Sequence, residues 1–396
     1  MKTTLPKFII IFLLFANSIS AQTFIQGYAD VVNQVSQTNV TNDLTQFEAL
    51  GVKRRGTAPL QNTLDWLKAK YTSYGYSASQ IVEDPYTYSG STAVVKNLVV
   101  TKIGTLHPNT FVIVCGHYDS ITGTGTNDNG SGVACILEIA RLLQNIPTDY
   151  SIKFINFTGE EDGLYGSQHY VTSIVNGTTP KMDIRLVFNL DEVGGRSGMV
   201  NNNITCERDT NNSPTTNNAV SSTKTNELIT CVGLYSNLQT TLANAYASDY
   251  MPFQANNEII TGFFETNETP YKHTANDLLV NMDPVYNYNV AKAATGAVLH
   301  FAIANTALGT ADFKNDFQVS FFPNPTKDSL NINMGTLNID SYKVTIIDIN
   351  GKVVLEKNIA SPKLIENIDT SSLKSGIYLI ALNAGDKRII KRIVIE

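Results

Sequence analysis

Histidine is scarce in this chain, with five in 396 residues, and there is a single tryptophan and only four cysteines. No two cysteines form a C-x-x-C pair, so a cysteine-built zinc knuckle is excluded. A G-x-S-x-G nucleophile elbow and an H-E-x-x-H helix are both missing, which removes two widespread hydrolase designs. Charge is modest at a net -6, and no basic cluster interleaved with aromatics occurs. A nucleic acid or an anionic membrane surface is therefore not an expected partner. Beyond the first residues, no apolar run approaches the roughly 20 residues that span a bilayer.

The N-terminus does carry one short apolar run. Lys2 and Lys7 precede Phe8 to Ala16, and the small residues of Asn17-Ser18-Ile19-Ser20-Ala21 follow. This pattern predicts a signal peptide over residues 1–21, cut after Ala21, and no membrane span once it is removed. The length and a hydrophobic content of 42% predict two folded units in the remainder, 22–310 and 311–396, with the boundary near Leu308 to Asn315. Cys115 and Cys135 lie in apolar surroundings and are expected as buried thiols. Cys206 and Cys231 flank a polar Asn- and Thr-rich stretch, where a loop-stapling disulfide and two free thiols are equally consistent with the sequence.

After Asn315 the chain turns to short alternating runs: Val319 to Phe322, Leu330 to Met334, Tyr342 to Asp348, Lys352 to Glu356, Gly376 to Asn383 and Ile389 to Ile395. With Asn350-Gly351 as a hairpin turn signal and Pro323-Asn324-Pro325 breaking the first run, these predict a small all-β sandwich. The segments FFPNPTKDSLNI, VTIIDINGKVV, SSLKSGIYLIAL and the closing KRIVIE resemble the C-terminal sorting domain of the Bacteroidetes type IX secretion system. That resemblance implies export across an outer membrane by the type IX machinery, followed by release or surface anchoring. An adhesive or carbohydrate-binding sandwich is the competing reading of the β pattern.

Between the two ends, helical periods alternate with short apolar runs, which predicts an α/β domain of three layers, α/β/α, around a mostly parallel sheet. Thr63 to Tyr74 and Ser131 to Gln144 read as helices, the second capped by Ser131. Lys96 to Thr101, Phe111 to Cys115, Ile152 to Phe157 and Arg185 to Asn189 read as strands, and Asn201 to Thr225 as a polar surface loop. Three of these strands run into polar clusters: His117-Tyr118-Asp119, Gly159-Glu160-Glu161 and Asp191-Glu192. In an open parallel sheet the strand carboxyl ends line the ligand crevice, so the clusters converge. One histidine among so many carboxylates calls for bound cations.

His117 and Asp119 are two apart in an extended segment, so one face carries a metal-binding imidazole and a carboxylate to accept its other N–H. Alone, that pair also fits a hydrogen-bonded structural histidine. Asp128 sits in Thr126-Asn127-Asp128-Asn129-Gly130-Ser131-Gly132 just before a helix start, where a capping or turn role competes with metal binding. Adjacent Glu160 and Glu161 repel each other unless one coordinates a cation and the other shuttles protons. His273, in a distant loop, offers a ligand to a second metal.

Taken in order, GHYDS, TNDNGSG, TGEEDGLYGSQHY, NLDEVG and YKHTANDLL resemble the successive motifs of the M28 metallopeptidases, over roughly Phe47 to Ala304. The resemblance implies two zinc ions per chain: His117 and Asp191 on one, Glu161 and His273 on the other, Asp128 bridging them. Glu160 would be the general base and Asp119 would orient His117. The implied activity is that of a secreted aminopeptidase acting on peptides or proteins with a free N-terminus. A single-zinc aminoacyl (glutaminyl) cyclase and a non-catalytic surface binding protein on the same scaffold are the alternatives. At Ser248-Asp249-Tyr250-Met251-Pro252-Phe253 the chain departs from the family pattern, with Tyr250 where many relatives have histidine, which bears on the substrate pocket rather than the metals.

Overall fold

The computed structural model describes residues 22–306, apart from 89, 91 and 211, and residues 319–396, apart from 335–339, 350, 385 and 386. The expected signal peptide, the unit boundary near Leu308 to Asn315 and the turn residue Asn350 lie outside the described residues. The chain divides into two units, Met1–Thr306 and Ala307–Glu396.

In the first unit three helices, α1 (Gln26–Val32), α2 (Gln37–Ala49) and α3 (Ala58–Ser73), precede the first strand. Helix α3 starts earlier than the apolar period at Thr63 suggests, because Pro59 suits a first turn that has no use for its missing N–H. The strands are β1 (Ile81–Tyr86), β2 (Val95–Lys102), β3 (His107–His117), β4 (Tyr150–Phe157), β5 (Asp183–Leu190), β6 (Asn203–Arg208), β7 (Gln239–Asn244) and β8 (Ile260–Glu265). They form one eight-stranded sheet in the order β1-β2-β4-β3-β5-β8-β6-β7. The central strands β4, β3, β5 and β8 are mutually parallel, as are β6 and β7, while β1, β2 and the β6–β8 pair join antiparallel.

The apolar run of β3 shows why the sheet has two covered faces. Val112 and Val114 point into a core shared with α2, α3, α4 (Gly130–Leu143) and α8 (Pro284–Phe301). Ile113 and Cys115 point the other way, toward Tyr170, Val171, Val175 and Phe253. A strand buried on both sides has no polar position to alternate with, so it reads as an uninterrupted hydrophobic run. Two short helices, α5 (Tyr165–His169) and α7 (Met251–Ala255), flank this second core.

Two local expectations are corrected. Helix α4 is capped by Asn129, whose side-chain oxygen accepts the Gly132 N–H at 2.9 Å, while Ser131 lies inside the first turn and bonds back to Asn127. The supposed loop 201–225 instead holds β6 and the start of α6 (Asn218–Tyr235). Its polar residues are spent inward: Thr225 donates to the Glu207 carbonyl and Ser221 accepts from the Ile260 N–H, so a polar sequence packs as a helix. All four cysteines are free and buried, Cys206 and Cys231 included.

The second unit has two antiparallel sheets. β9 (Ser320–Phe322), β10 (Ser329–Asn333) and β13 (Ile365–Asp369) form one, and β11 (Ser341–Asp348), β12 (Val353–Ala360), β14 (Gly376–Ala384) and β15 (Lys387–Ile395) the other. Leu330, Ile332, Val344, Ile346, Ile380 and Ile393 form their common core, the sandwich that the alternating runs predict. Strand β13 adds to the runs legible in the sequence, since IENID has too little apolar alternation to stand out.

Leu137 on α4 is completely buried in the larger core of the first unit. Leu137→Ala is expected to lower the stability of the first unit by about 2–5 kcal/mol, read as a drop in the urea midpoint at unchanged slope.

Candidate metal centre

Because β4, β3 and β5 are neighbours and parallel, their carboxyl ends deliver three polar clusters to one edge. His117 is the last residue of β3. Glu160 and Glu161 follow β4 across Gly159, whose φ of 67° suits glycine and where a Cβ would lie 2.8 Å from the Tyr86 hydroxyl. Asp191 follows β5, and His273 arrives on the segment after β8.

The structure brings every site residue predicted from the sequence into one place. His117 Nε2 lies 3.1 Å from Asp128 Oδ1, 3.4 Å from Asp191 Oδ1 and 3.9 Å from Glu160 Oε2. His273 Nε2 lies 3.2 Å from Asp128 Oδ2 and 3.0 Å from Glu161 Oε2. Asp128 thus turns one oxygen to each imidazole. His117, Asp128 and Asp191 form one set of donors, and Asp128, Glu161 and His273 a second, each with its atoms within 4.8 Å of one another. On the far side of the His117 ring, Nδ1 lies 3.3 Å from the Asp119 carbonyl oxygen and 3.6 Å from its carboxylate.

The fit to a metal can be judged from atoms left without partners. Among the described residues, His117 Nε2 and Asp191 Oδ1 are buried with no hydrogen bond of sound geometry, despite their close approach. Leaving a buried imidazole nitrogen and carboxylate oxygen unpaired costs stability unless a ligand takes them up. An imidazole and carboxylate donor set without thiolate suits zinc and related divalent ions.

Protons take up part of this role. Burial works against a charge on His117, yet Asp191, Glu160, Asp119 and Asp128 together push its pKa well above the ordinary value. Asp128 is driven far down by its two histidines although burial opposes this. Burial is the largest cause that raises Glu160 well above the carboxylate range, with Asp191 adding to it. Burial, with the neighbouring Asp128 charge, moves Glu161 from 4.5 to about 8. The same field that holds protons here draws divalent cations.

Several residues that the motifs left without a role hold the donors in place. The Asp277 carboxylate accepts the main-chain N–H groups of Asn127 at 2.8 Å and Asp128 at 3.0 Å. Asn127 donates to Glu265 and accepts from the Gly194 N–H, and Asn129 donates to the Leu190 carbonyl. Ser248 donates to Asp191 Oδ2 at 2.6 Å and accepts from Asn189, which leaves Oδ1 for the centre. Asp277 could have been suspected from its place four residues after His273. Ser248 carries no signal that sequence spacing could supply.

Asp277→Ala removes the acceptor for two buried N–H groups beside Asp128 and is expected to weaken zinc binding roughly 10- to 100-fold, measured by competition with a chromophoric chelator. A pH dependence follows from the raised acids. A carboxyl whose pKa is higher folded than unfolded binds its proton on folding, so stability is lost as pH rises from the unfolded value. For Glu161 that window runs from 4.5 to about 8. Calorimetry of metal-free protein is expected to show Tm falling across this range, and the gain in Tm on adding zinc growing across it.

Comparison with known proteins agrees with this geometry. Residues 97–298 match the pattern of Peptidase family M28, and residues 320–396 match the secretion system C-terminal sorting domain, a mark of export to the cell surface or beyond it. Among the described residues no helix is long and apolar enough to cross a membrane. Over 89 residues, 22% of this chain and 19% of the relative, the sequence is 46% identical to aminopeptidase YwaD of Bacillus subtilis. The matched segments span under half the length of the curated relatives at the head of the comparison. The fold is that of the LapA aminopeptidase of Legionella pneumophila, with a TM-score of 0.60, 20% identity and coverage of 76% of this chain and 80% of that one. It is likewise that of BSAP, a zinc aminopeptidase from Bacillus subtilis, with a TM-score of 0.55, 18% identity and coverage of 67% and 95%. With half its length matched to the family pattern and its donor residues gathered at one sheet edge, the chain belongs to peptidase family M28.

Proposed function

We propose that the chain is an exported zinc aminopeptidase that removes residues from the free N-terminus of peptides or proteins, using two zinc ions, and that residues 22–310 carry this activity. The observation that carries the reading is the pair of donor sets sharing Asp128. In this reading His117, Asp191 and Asp128 would hold one ion, and His273, Glu161 and Asp128 the second. When bound, zinc lowers the pKa of water and polarises a carbonyl.

The remaining roles belong to side chains. Glu160 stands beside the donor sets without belonging to either, with an oxygen 3.9 Å from His117 Nε2. With cation charge beside it offsetting the burial that raises its pKa, it takes a proton from the attacking water and passes it to the departing amine, so no covalent intermediate is needed. Asp119, behind the His117 ring, keeps the imidazole oriented. The cavity beside the donors has a volume of about 350 Å³, near the small end of ligand pockets, which suits one terminal residue better than a stretch of chain. The segment 311–396 engages the type IX secretion machinery and leaves the chemistry to the first unit.

Metal analysis and hydrolysis of aminoacyl-nitroanilides together test the reading. Two zinc per chain and activity lost on chelation are expected. Glu160→Gln is expected to keep both metals and lose about 10²- to 10⁴-fold in kcat. One metal per chain with no hydrolysis of any free-amine substrate would turn the assignment toward a single-zinc cyclase.

A further inference from the structure

The cavity beside the donor sets has a second wall that metal binding does not use. Glu192, Glu207, Tyr246, Tyr250, Phe264 and Lys272 line it. Glu207 stands on β6 at 3% exposure, and its Oε2 accepts the Tyr250 O–H at 2.8 Å. Tyr250 is itself buried and accepts the Tyr246 N–H at 3.1 Å, so the tyrosine at the position where the family pattern has histidine is committed to holding a carboxyl group.

Glu192 is 7% exposed, with Oε2 lacking a hydrogen-bond partner among the described residues. Its other oxygen lies 3.4 Å from Lys272 Nζ. That ammonium is shared, because Lys272 also pairs with Glu268. Two buried carboxyl groups therefore line the cavity, Glu207 held by a tyrosine hydroxyl and Glu192 by a lysine it shares with Glu268. A leucine-like side chain entering here would bury against them and leave Glu192 Oε2 without a donor. A guanidinium or ammonium would supply charged donors to both, while its methylene stem lies along Phe264 and Tyr246.

We propose that Glu192 and Glu207, the latter held by Tyr250, are specificity-determining residues that select substrates whose N-terminal residue is arginine or lysine. This rests on the aminopeptidase reading and names its substrate class. The donor–acceptor complementarity acts where the substrate side chain lies, so it governs binding and leaves the proton transfers at Glu160 as described.

The test compares the zinc-loaded full chain on arginyl-, lysyl-, leucyl- and glutamyl-nitroanilides, with calorimetric titration of free L-arginine and L-leucine alongside. kcat/KM for the arginyl and lysyl substrates is expected about tenfold or more above the leucyl one, with the glutamyl substrate slowest. Glu192→Gln and Glu207→Gln are each expected to shrink the arginyl-to-leucyl ratio about tenfold, chiefly through KM. A leucyl substrate turned over faster than the arginyl one by the unmodified chain would overturn the assignment, whether or not the variants fold. So would a ratio unchanged in both variants. Hydrolysis of none of the four would instead sink the aminopeptidase reading, and the pocket assignment would then stand if L-arginine binds more tightly than L-leucine and fall if it does not.

Discussion

The first unit is organised around a surplus of buried negative charge at the carboxyl ends of three adjacent parallel strands. Carboxyl groups from Asp128, Asp191, Glu160 and Glu161 meet two imidazoles, with His117, Asp128 and Asp191 buried, Glu160 and Glu161 half-buried and His273 open to solvent. Such a cluster repels itself, and the surrounding structure has to restrain it. The restraints are visible: Asp277 grips the backbone at Asn127 and Asp128, Ser248 fixes one oxygen of Asp191, and Asn129 ties the start of α4 to the end of β5. Each restraint is itself a buried polar group with its partner in place, so disturbing any of them exposes the cluster to its own repulsion.

The sheet makes this arrangement possible by geometry. Parallel neighbours end at the same edge, and helices on both faces keep the strands dry, so residues far apart in the chain are presented together without long loops. The alternation of β3 between two cores fixes which way His117 leaves the sheet, since a shift of one residue would turn the imidazole toward the opposite layer.

Much of this could be read from the sequence, for definite reasons. Strands buried on both faces announce themselves as apolar runs, and the donors sit directly after those runs, so the clusters at His117, Glu160 and Asp191 could be placed before the fold was known. The histidines of the chain are few enough that His273 stood out. Elements stabilised by inward polar contacts were harder. β6 and the first turns of α6 carry Asn, Thr and Ser that bond to main-chain groups inside the fold, and composition cannot distinguish such residues from those of a solvated loop. The cap of α4 is hard to place for a related reason, since Asn129 and Ser131 are both good capping types and only the backbone path decides between them. Asp277 and Ser248 act through single hydrogen bonds to distant partners, which leave no periodic trace.

The grip of Asp277 on the loop that carries Asp128 has a bearing on how the site comes into being. His273 and Asp277 lie on one short segment late in the first unit, so a single docking event delivers a metal donor and locks the shared carboxylate of the other elements. Completion of the donor cluster is thereby tied to the arrival of that last segment against the loop at Asp128.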